Sequence, residues 1–454
     1  LTSISKETIT AIATASGRGG VGIVRVSGSL SLSIAKNILG FEPKARHAHY
    51  ASFTNPSREL IDQGIALFFQ APNSFTGEDV LELQGHGGPV VLDRLLKCIL
   101  EQGARLARPG EFSEQAFFNN KMDLTQAEAV ADLINAESEH AARCAVRSLQ
   151  GDFSTQIHAI VDQMIQLRMY IEAAIDFPEE EIDFLSQSHV LGDTKKLLEA
   201  LEQLLAKAQQ GALIRDGITV VISGEPNVGK SSLLNLLSGR ESAIVTEIAG
   251  TTRDILREKI ILDGMPLHVI DTAGLRETND VVEQEGIRRA KAALLEADLV
   301  IYIVDVSQEK NIDIALESLS KNIPKNIPSI IVLNKIDLTT ISNKVEEYND
   351  RTLVYVSIKQ QLGIDLLVSI LKKKVGFEQT FSEGNFIARR RHLHALNQAM
   401  QHIQYGIMQL EIYRAGELLA EELRIAQESL SSITGVFTSD DLLGEIFSSF
   451  CIGK

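Results

Sequence analysis

The segment Gly224-Glu-Pro-Asn-Val-Gly229-Lys230-Ser231 has the residue types and spacing of a phosphate cradle. It follows an apolar run, Ile218 to Ile222, and precedes an apolar helical pattern, Leu233 to Leu237. That order of strand, loop and helix is the setting the motif requires. The glycines let backbone N–H groups curl round phosphate oxygens, and Lys230 brings a point charge to the β and γ oxygens. The Ser231 hydroxyl is placed to ligate magnesium, and the amino end of the following helix adds partial positive charge. Taken alone, the motif also fits a plain glycine-rich turn.

Three further elements follow in the order a guanine-nucleotide site needs. Asp271-Thr272-Ala273-Gly274 succeeds the run Leu267 to Ile270, so the Asp271 carboxylate can meet magnesium through water and the Gly274 N–H can reach a γ-phosphate. Asn334-Lys335-Ile336-Asp337 succeeds Ser329 to Leu333, and Asp337 can accept from both N1–H and the exocyclic amine of guanine, a pattern adenine lacks. Ser357-Ile358-Lys359, after Leu353 to Val356, completes the base pocket. The nucleotide set is therefore Asn227, Val228, Gly229, Lys230, Ser231 and Ser232 with these three loops.

Between cradle and Asp271 lies Thr246-Glu247-Ile248-Ala249-Gly250-Thr251-Thr252-Arg253-Asp254, where a switch loop belongs. Thr252 is the better second magnesium-ligating hydroxyl because it leads into the next strand; a surface turn is the alternative. Leu275 occupies the place where many GTPases carry a water-orienting glutamine, so something else must position the water, and the nearby acids are Glu277, Asp280, Glu283 and Glu285.

The elements around these loops alternate between apolar runs and helical segments from about Gly217 to Phe377, which predicts a mostly parallel sheet covered on both faces. Upstream, Val21 to Val26, Ile65 to Phe69 and Val80 to Leu83 read as strands of an α+β domain with a helix near Val90 to Glu101. From Thr125, where Thr125-Gln-Ala-Glu128 fits a capping box, helical periodicity takes over. It includes Ile157, Ile160, Val161, Met164 and Ile165, and resumes at Leu396, Met400, Ile403, Ile407 and Leu410. Leu419, Leu423, Ala426 and Leu430 mark another helix, and Leu442, Leu443, Ile446, Phe447 and Phe450 a last one. The fold expected is multidomain: an α+β domain over 1–121 and an all-α domain over 122–215 and 378–454, split by an α/β domain over 216–377. Two separate small bundles are the alternative to one divided helical domain.

A chain of 454 residues suggests about three domains at roughly 150 residues each. The net charge of −16 excludes a surface-wide grip on a phosphate backbone, and absent Trp with 5% aromatics disfavours base-stacking platforms. Arg389-Arg390-Arg391 is the local phosphate-binding candidate, with a solvated helix face as the alternative. Cys98, Cys144 and Cys451 show neither disulfide nor metal spacing. No run approaches the ~20 apolar residues of a membrane span, so a soluble, cytoplasmic protein without membrane contact is expected.

Together the cradle with Asn227, the loop Thr246 to Asp254, Gly19-Gly20-Val21-Gly22-Ile23-Val24-Arg25, Gly85-His86-Gly87-Gly88 and Phe450-Cys451-Ile452-Gly453-Lys454 resemble the MnmE (TrmE) family of tRNA wobble-uridine modification GTPases, over essentially the whole chain. The resemblance implies a magnesium- and potassium-dependent GTPase whose G domains dimerise. Carried over, potassium would be held by Asn227 and by Thr246, Ile248 and Thr251, with Arg253 and Arg276 as rivals for charge neutralisation. Glu283 matches the family's water-orienting acid; a surface salt bridge would explain it equally.

The resemblance also implies a folate-binding amino-terminal domain in which Arg25, Glu82, Lys121 and Lys454 contact a one-carbon tetrahydrofolate. Alternating solvent-side positions on strands account for Arg25 and Glu82 as well. The implied partners are a second copy of the chain, tRNA, and the FAD- and NADH-using flavoprotein MnmG (GidA), in a heterotetramer. Two other classes remain open: a ribosome-assembly or translation GTPase, and a free-standing one-carbon transferase regulated by its inserted GTPase. Cys451 has no neighbouring His to activate it, and His86 sits between glycines as a turn residue would.

Overall fold

The computed structural model describes residues 7–176, 187–239, 257–271, 297–308, 327–348, 351–377, 386–436 and 440–453. Two compact units emerge: Leu1–Ile134 with Ser148–Leu197 and Gln401–Lys454, and Asn135–Arg147 with Leu198–Met400.

The chain begins with β1 (Ile9–Ile12), β2 (Gly19–Ser27), α1 (Ser31–Leu39), β3 (His49–Thr54), β4 (Leu60–Phe69), β5 (Val80–Gly87), α2 (Pro89–Leu100) and β6 (Arg105–Leu106). The strands form a sheet in the order β3-β4-β5-β2-β1-β6. Alternation sends Val24, Val26, Phe53, Phe68, Leu81 and Leu83 to one face, where Ile34, Ile38, Leu95 and Ile99 of α1 and α2 close the core. The opposite face carries Arg25 directly across from Glu82.

Helices follow: α3 (Glu111–Phe118), α4 (Leu124–Ile134), α5 (Glu139–Gln150), α6 (Asp152–Asp176) and α7 (Gln187–Asp216). The capping box of α4 lies two residues earlier than the sequence suggested. Asp123 Oδ1 accepts from the Gln126 N–H at 2.9 Å, and Gln126 Oε1 accepts from the Asp123 N–H at 3.0 Å. Thr125 and Glu128 are buried within the helix. An aspartate caps as well as a threonine does, so the pattern admitted two registers.

In the second unit, β7 (Ile218–Gly224), α8 (Lys230–Ser238), β8 (Arg257–Leu262), β9 (Met265–Asp271), β10 (Leu299–Asp305), β11 (Ser329–Asn334), β12 (Val345–Tyr348), β13 (Arg351–Tyr355) and α9 (Ile364–Lys374) are described. The sheet order is β12-β13-β11-β10-β7-β9-β8. β13, β11, β10, β7 and β9 run parallel, while β12 and β8 pair antiparallel at the two edges. β11 is buried throughout, as a strand covered on both faces must be.

The last helices are α10 (Arg390–Tyr413), α11 (Gly416–Thr434) and α12 (Asp440–Ser448). α11 packs on α6, where Arg168 donates to Gln427 Oε1 at 2.8 Å. Leu443, Ile446, Phe447 and Phe450 share a core with Leu124, Ala127 and Ala131. Helices from before and after the inserted sheet, α6 with α11 and α4 with α12, thus pack together.

Candidate nucleotide site

Parallel strands leave their functional loops at the carboxyl ends, and the crevice between such loops is where an open α/β sheet binds ligands. β7 runs into the cradle, and the loop takes shape through three positive φ values: Gly224 at 150°, Asn227 at 61° and Gly229 at 109°. A Cβ on Gly224 would lie 2.4 Å from the Ile303 carbonyl oxygen, and one on Gly229 would lie 2.5 Å from Asn334 Nδ2. Only glycine fits at these two places. Lys230 opens α8, and its ammonium donates to the carbonyls of Gly224 and Glu225 at 3.0 and 2.7 Å.

Asn334, buried at the end of β11, ties three loops together. Its Nδ2 donates to the Val228 carbonyl at 2.7 Å, and its Oδ1 accepts from the Ile358 N–H at 3.0 Å. Asp337 stands in the 3-10 turn Ile336–Leu338, where its carboxylate accepts from the Ser357 hydroxyl at 2.6 Å. The chain reaches that turn through Lys335 at φ 68°. Cradle, Asn334 to Asp337 and Ser357 to Ile358 are therefore brought together as expected. Asp271 closes β9, the strand beside β7. Thr246 to Thr252, Thr272 to Gly274, Glu283 and Lys454 lie outside the described residues, as do Arg253, Leu275 and Arg276.

In the first unit, the Arg25 guanidinium pairs with Glu82 Oε1 at 2.9 Å and donates to the Gly453 carbonyl at 3.2 Å. The Phe75 and Phe112 rings each lie 5.7 Å from its carbon, within cation–π range. Lys121 donates to the Pro72 carbonyl at 3.0 Å, so the loop carrying Pro72 and Phe75 touches both cations. Gly453 at φ 95° presses against β1, where a Cβ would meet the Ile12 carbonyl oxygen at 2.6 Å. The chain's last described residues thus reach the same sheet face as Arg25.

Comparison with known proteins decides the family. A model of the MnmE helical domain matches residues 124–451, and one of the GTP-binding protein TrmE N-terminus matches residues 8–121. The tRNA modification GTPase MnmE of Hydrogenovibrio crunogenus is 59% identical over 450 residues, covering 99% of each chain. That of Shewanella amazonensis is 57% identical over 454 residues, covering 99% of this chain and all of the relative. This chain belongs to the MnmE family. A crystal structure of Era from Aquifex aeolicus with GDP and aluminium fluoride is 26% identical, covering 41% of this chain and 66% of that one, at a TM-score of 0.26. Overlap that slight adds nothing to the MnmE assignment.

Asp305 and Ser307, beside the loop Asn334 to Asp337, were not singled out from the sequence. Asp305 ends β10 and takes the Lys335 ammonium at 2.5 Å, while its other oxygen accepts from Ser307. The signal was present as an acid closing an apolar run two residues before a serine. His86 proves to be anchored: its N–H and Nδ1 reach the Asp62 carboxylate at 2.7 and 2.8 Å. Burial pushes the Asp62 carboxyl up, but the hydrogen bonds from His86 and Gln63 outweigh it and hold the group below its ordinary value. Burial raises the Cys144 thiol to about 11, and Cys451 is exposed. The Arg389–Arg391 run opens α10, where the Arg389 N–H donates to His392 Nδ1 at 3.0 Å.

Proposed function

We propose that this chain, a GTP-hydrolysing enzyme of the MnmE family, works as a potassium-dependent homodimer with the flavoprotein MnmG to modify certain tRNAs. The modification is addition of an aminomethyl or carboxymethylaminomethyl group at carbon 5 of the wobble uridine. MnmG would bring FAD and NADH, and a one-carbon tetrahydrofolate would supply the carbon. The observation that carries the nucleotide part is Asn334, whose amide straps the phosphate cradle to the base loops and so makes one binding surface of three segments.

Each residue's part follows from its chemistry. The carbonyls of Gly224 and Glu225 are among the acceptors of the Lys230 ammonium. Charge-assisted bonds to phosphate oxygens are stronger than bonds to neutral acceptors, so the side chain would leave Gly224 and Glu225 when nucleotide binds. Asp337 would accept from two guanine N–H groups, with its orientation preset by Ser357. Ser231 and Thr252 would hold magnesium, which supplies charge neutralisation at the β- and γ-phosphates. Asn227 is exposed at the loop tip in a left-handed conformation, a fit for a side-chain carbonyl offered to potassium. Glu283 would orient the attacking water. In the first unit, Arg25 would exchange part of its bond to Glu82 for an anionic folate oxygen, Glu82 would accept from pterin nitrogens, and Lys121 and Lys454 would supply further positive charge.

The test pairs hydrolysis with product analysis. GTP turnover is expected to fall steeply when sodium replaces potassium, with dimer formation between G domains lost in parallel. Incubation with MnmG, folate, FAD, NADH and unmodified tRNA should yield a substituted wobble uridine by nucleoside mass spectrometry. Equal turnover in both salts would remove the Asn227 role, and unaltered uridine would remove the modification reading.

A further inference from the structure

β10 and β11 are parallel neighbours, and their register sets Asp305 beside Asn334, one position before Lys335. The Val306 N–H closes this seam on the Asn334 carbonyl at 3.1 Å. Both oxygens of the Asp305 carboxylate are then committed. Oδ2 meets the Lys335 ammonium at 2.5 Å, and Oδ1 accepts from the Ser307 hydroxyl at 2.6 Å and its N–H at 3.1 Å. The carboxylate is 8% exposed and the lysine side chain 30%, so the pair is shielded on the acid's side and open on the cation's. Burial would raise the Asp305 carboxyl, but Lys335 and Ser307 hold it below its ordinary value and keep it charged.

We propose that Asp305 is a positioning residue for guanine selection: locked by Ser307, it anchors the Lys335 ammonium and so holds the lysine stem in place between Asn334 and Asp337 before nucleotide arrives. An unanchored lysine carries large rotamer entropy, and ordering it on binding subtracts from affinity. The left-handed turn at Lys335 directs the backbone to Asp337, but it does not by itself direct the side chain. That task falls to a partner on the adjacent strand. The inference rests on reading Asn334 to Asp337 as a guanine site.

The full-length protein is titrated with fluorescent GDP and, for guanine preference, fluorescent ADP and XDP as wild type, Asp305→Asn, Ser307→Ala, Lys335→Ala, Asp337→Asn and the Asp305→Asn/Lys335→Ala double variant, with thermal midpoints recorded alongside. Asp305→Asn is expected to weaken GDP about tenfold, which corresponds to about 1.4 kcal/mol. It should raise KM for GTP while leaving kcat within about twofold, the mark of lost ground-state binding. Ser307→Ala, which keeps the charge, should shift affinity in the same direction by a smaller factor. In the Lys335→Ala background, Asp305→Asn should have almost no effect on affinity, because the interaction it removes is already gone. Undiminished GDP affinity in Asp305→Asn, or an equal loss with and without Lys335, overturns the inference. If wild type binds GDP and Asp337→Asn abolishes guanine preference while Asp305→Asn does nothing, the positioning role alone fails. If wild type shows no preference for guanine, the underlying reading fails with it.

Discussion

At the scale of single residues, the cradle glycines are held by different kinds of neighbour, and this separates their effects. A Cβ at Gly224 would meet a backbone carbonyl of β10, which cannot move without breaking the sheet. A Cβ at Gly229 would meet the Asn334 amide, a side-chain end that can rotate only by surrendering its bond to Val228. Both alanine variants should lose nucleotide affinity by tenfold or more, since each changes the loop that presents its N–H groups. Gly224→Ala should cost more stability, on the order of 3 kcal/mol against about 1 for Gly229→Ala, the spread expected of strained backbone positions. Urea titrations and GDP binding measured together would check the ordering; a Gly229→Ala protein with normal affinity would contradict the strap. The residue types of this site were plain in the sequence because spacing alone fixes cradle, Asn334 and Asp337 in one loop order. Asp305 was not, because its partner lies on a neighbouring strand and only register brings them together.

At the scale of elements, the sequence revealed the mostly apolar strands of the inserted sheet and hid its charged edge strands. β7, β9, β11 and β13 were anticipated, whereas β8, with Arg257, Glu258 and Lys259, and β12, with Glu346 and Glu347, were not. Edge strands carry charge to avoid further pairing, so the feature that protects them also erases their hydrophobic signature. The α4 cap offers a measurable case of the same ambiguity. Asp123→Ala should destabilise the protein by about 1 kcal/mol through the lost cap, and Gln126→Ala by less. A larger effect from Thr125→Ala than from Asp123→Ala would restore the later register.

The α3 helix supplies a pH-dependent element. Burial pushes Glu111 up, but hydrogen bonds and charge from Arg105, with the Arg108 N–H, outweigh it and leave the carboxyl below its ordinary value. A carboxylate whose folded pKa is depressed contributes stability above its unfolded pKa and loses it as pH falls through the folded one. Glu111→Gln should therefore cost on the order of 1 kcal/mol near neutrality, because the arginines it leaves behind are partly exposed, with the difference shrinking below about pH 4.5. Glu114 opposes this slightly, because burial holds its carboxyl above the ordinary value. Denaturant titrations of both proteins across pH 3–7 would show the curves converging; parallel curves would deny Glu111 the role.

At the scale of the whole molecule, the two ends of the chain share one unit while the nucleotide loops belong to the other, an arrangement foreshadowed by helical stripes on both sides of the α/β segment. Each unit has its own core, so calorimetry should resolve two transitions, and GDP should raise only the one belonging to the unit with the cradle. The carboxyl-terminal helix provides the sharper test. Removing residues 440–454 takes Leu443, Ile446, Phe447 and Phe450 away from Leu124, Ala127 and Ala131, and uncovers the Ile12 end of β1 against which Gly453 lies. Four such side chains bury on the order of 6 kcal/mol or more, comparable to the total stability of a domain. The truncated protein should lose its ligand-insensitive transition, or show it lowered by more than about 10 °C, while GDP still shifts the other. A truncation that lowered both transitions equally would mean that the last helix supports the nucleotide unit too, contrary to a division in which its contacts lie within the first.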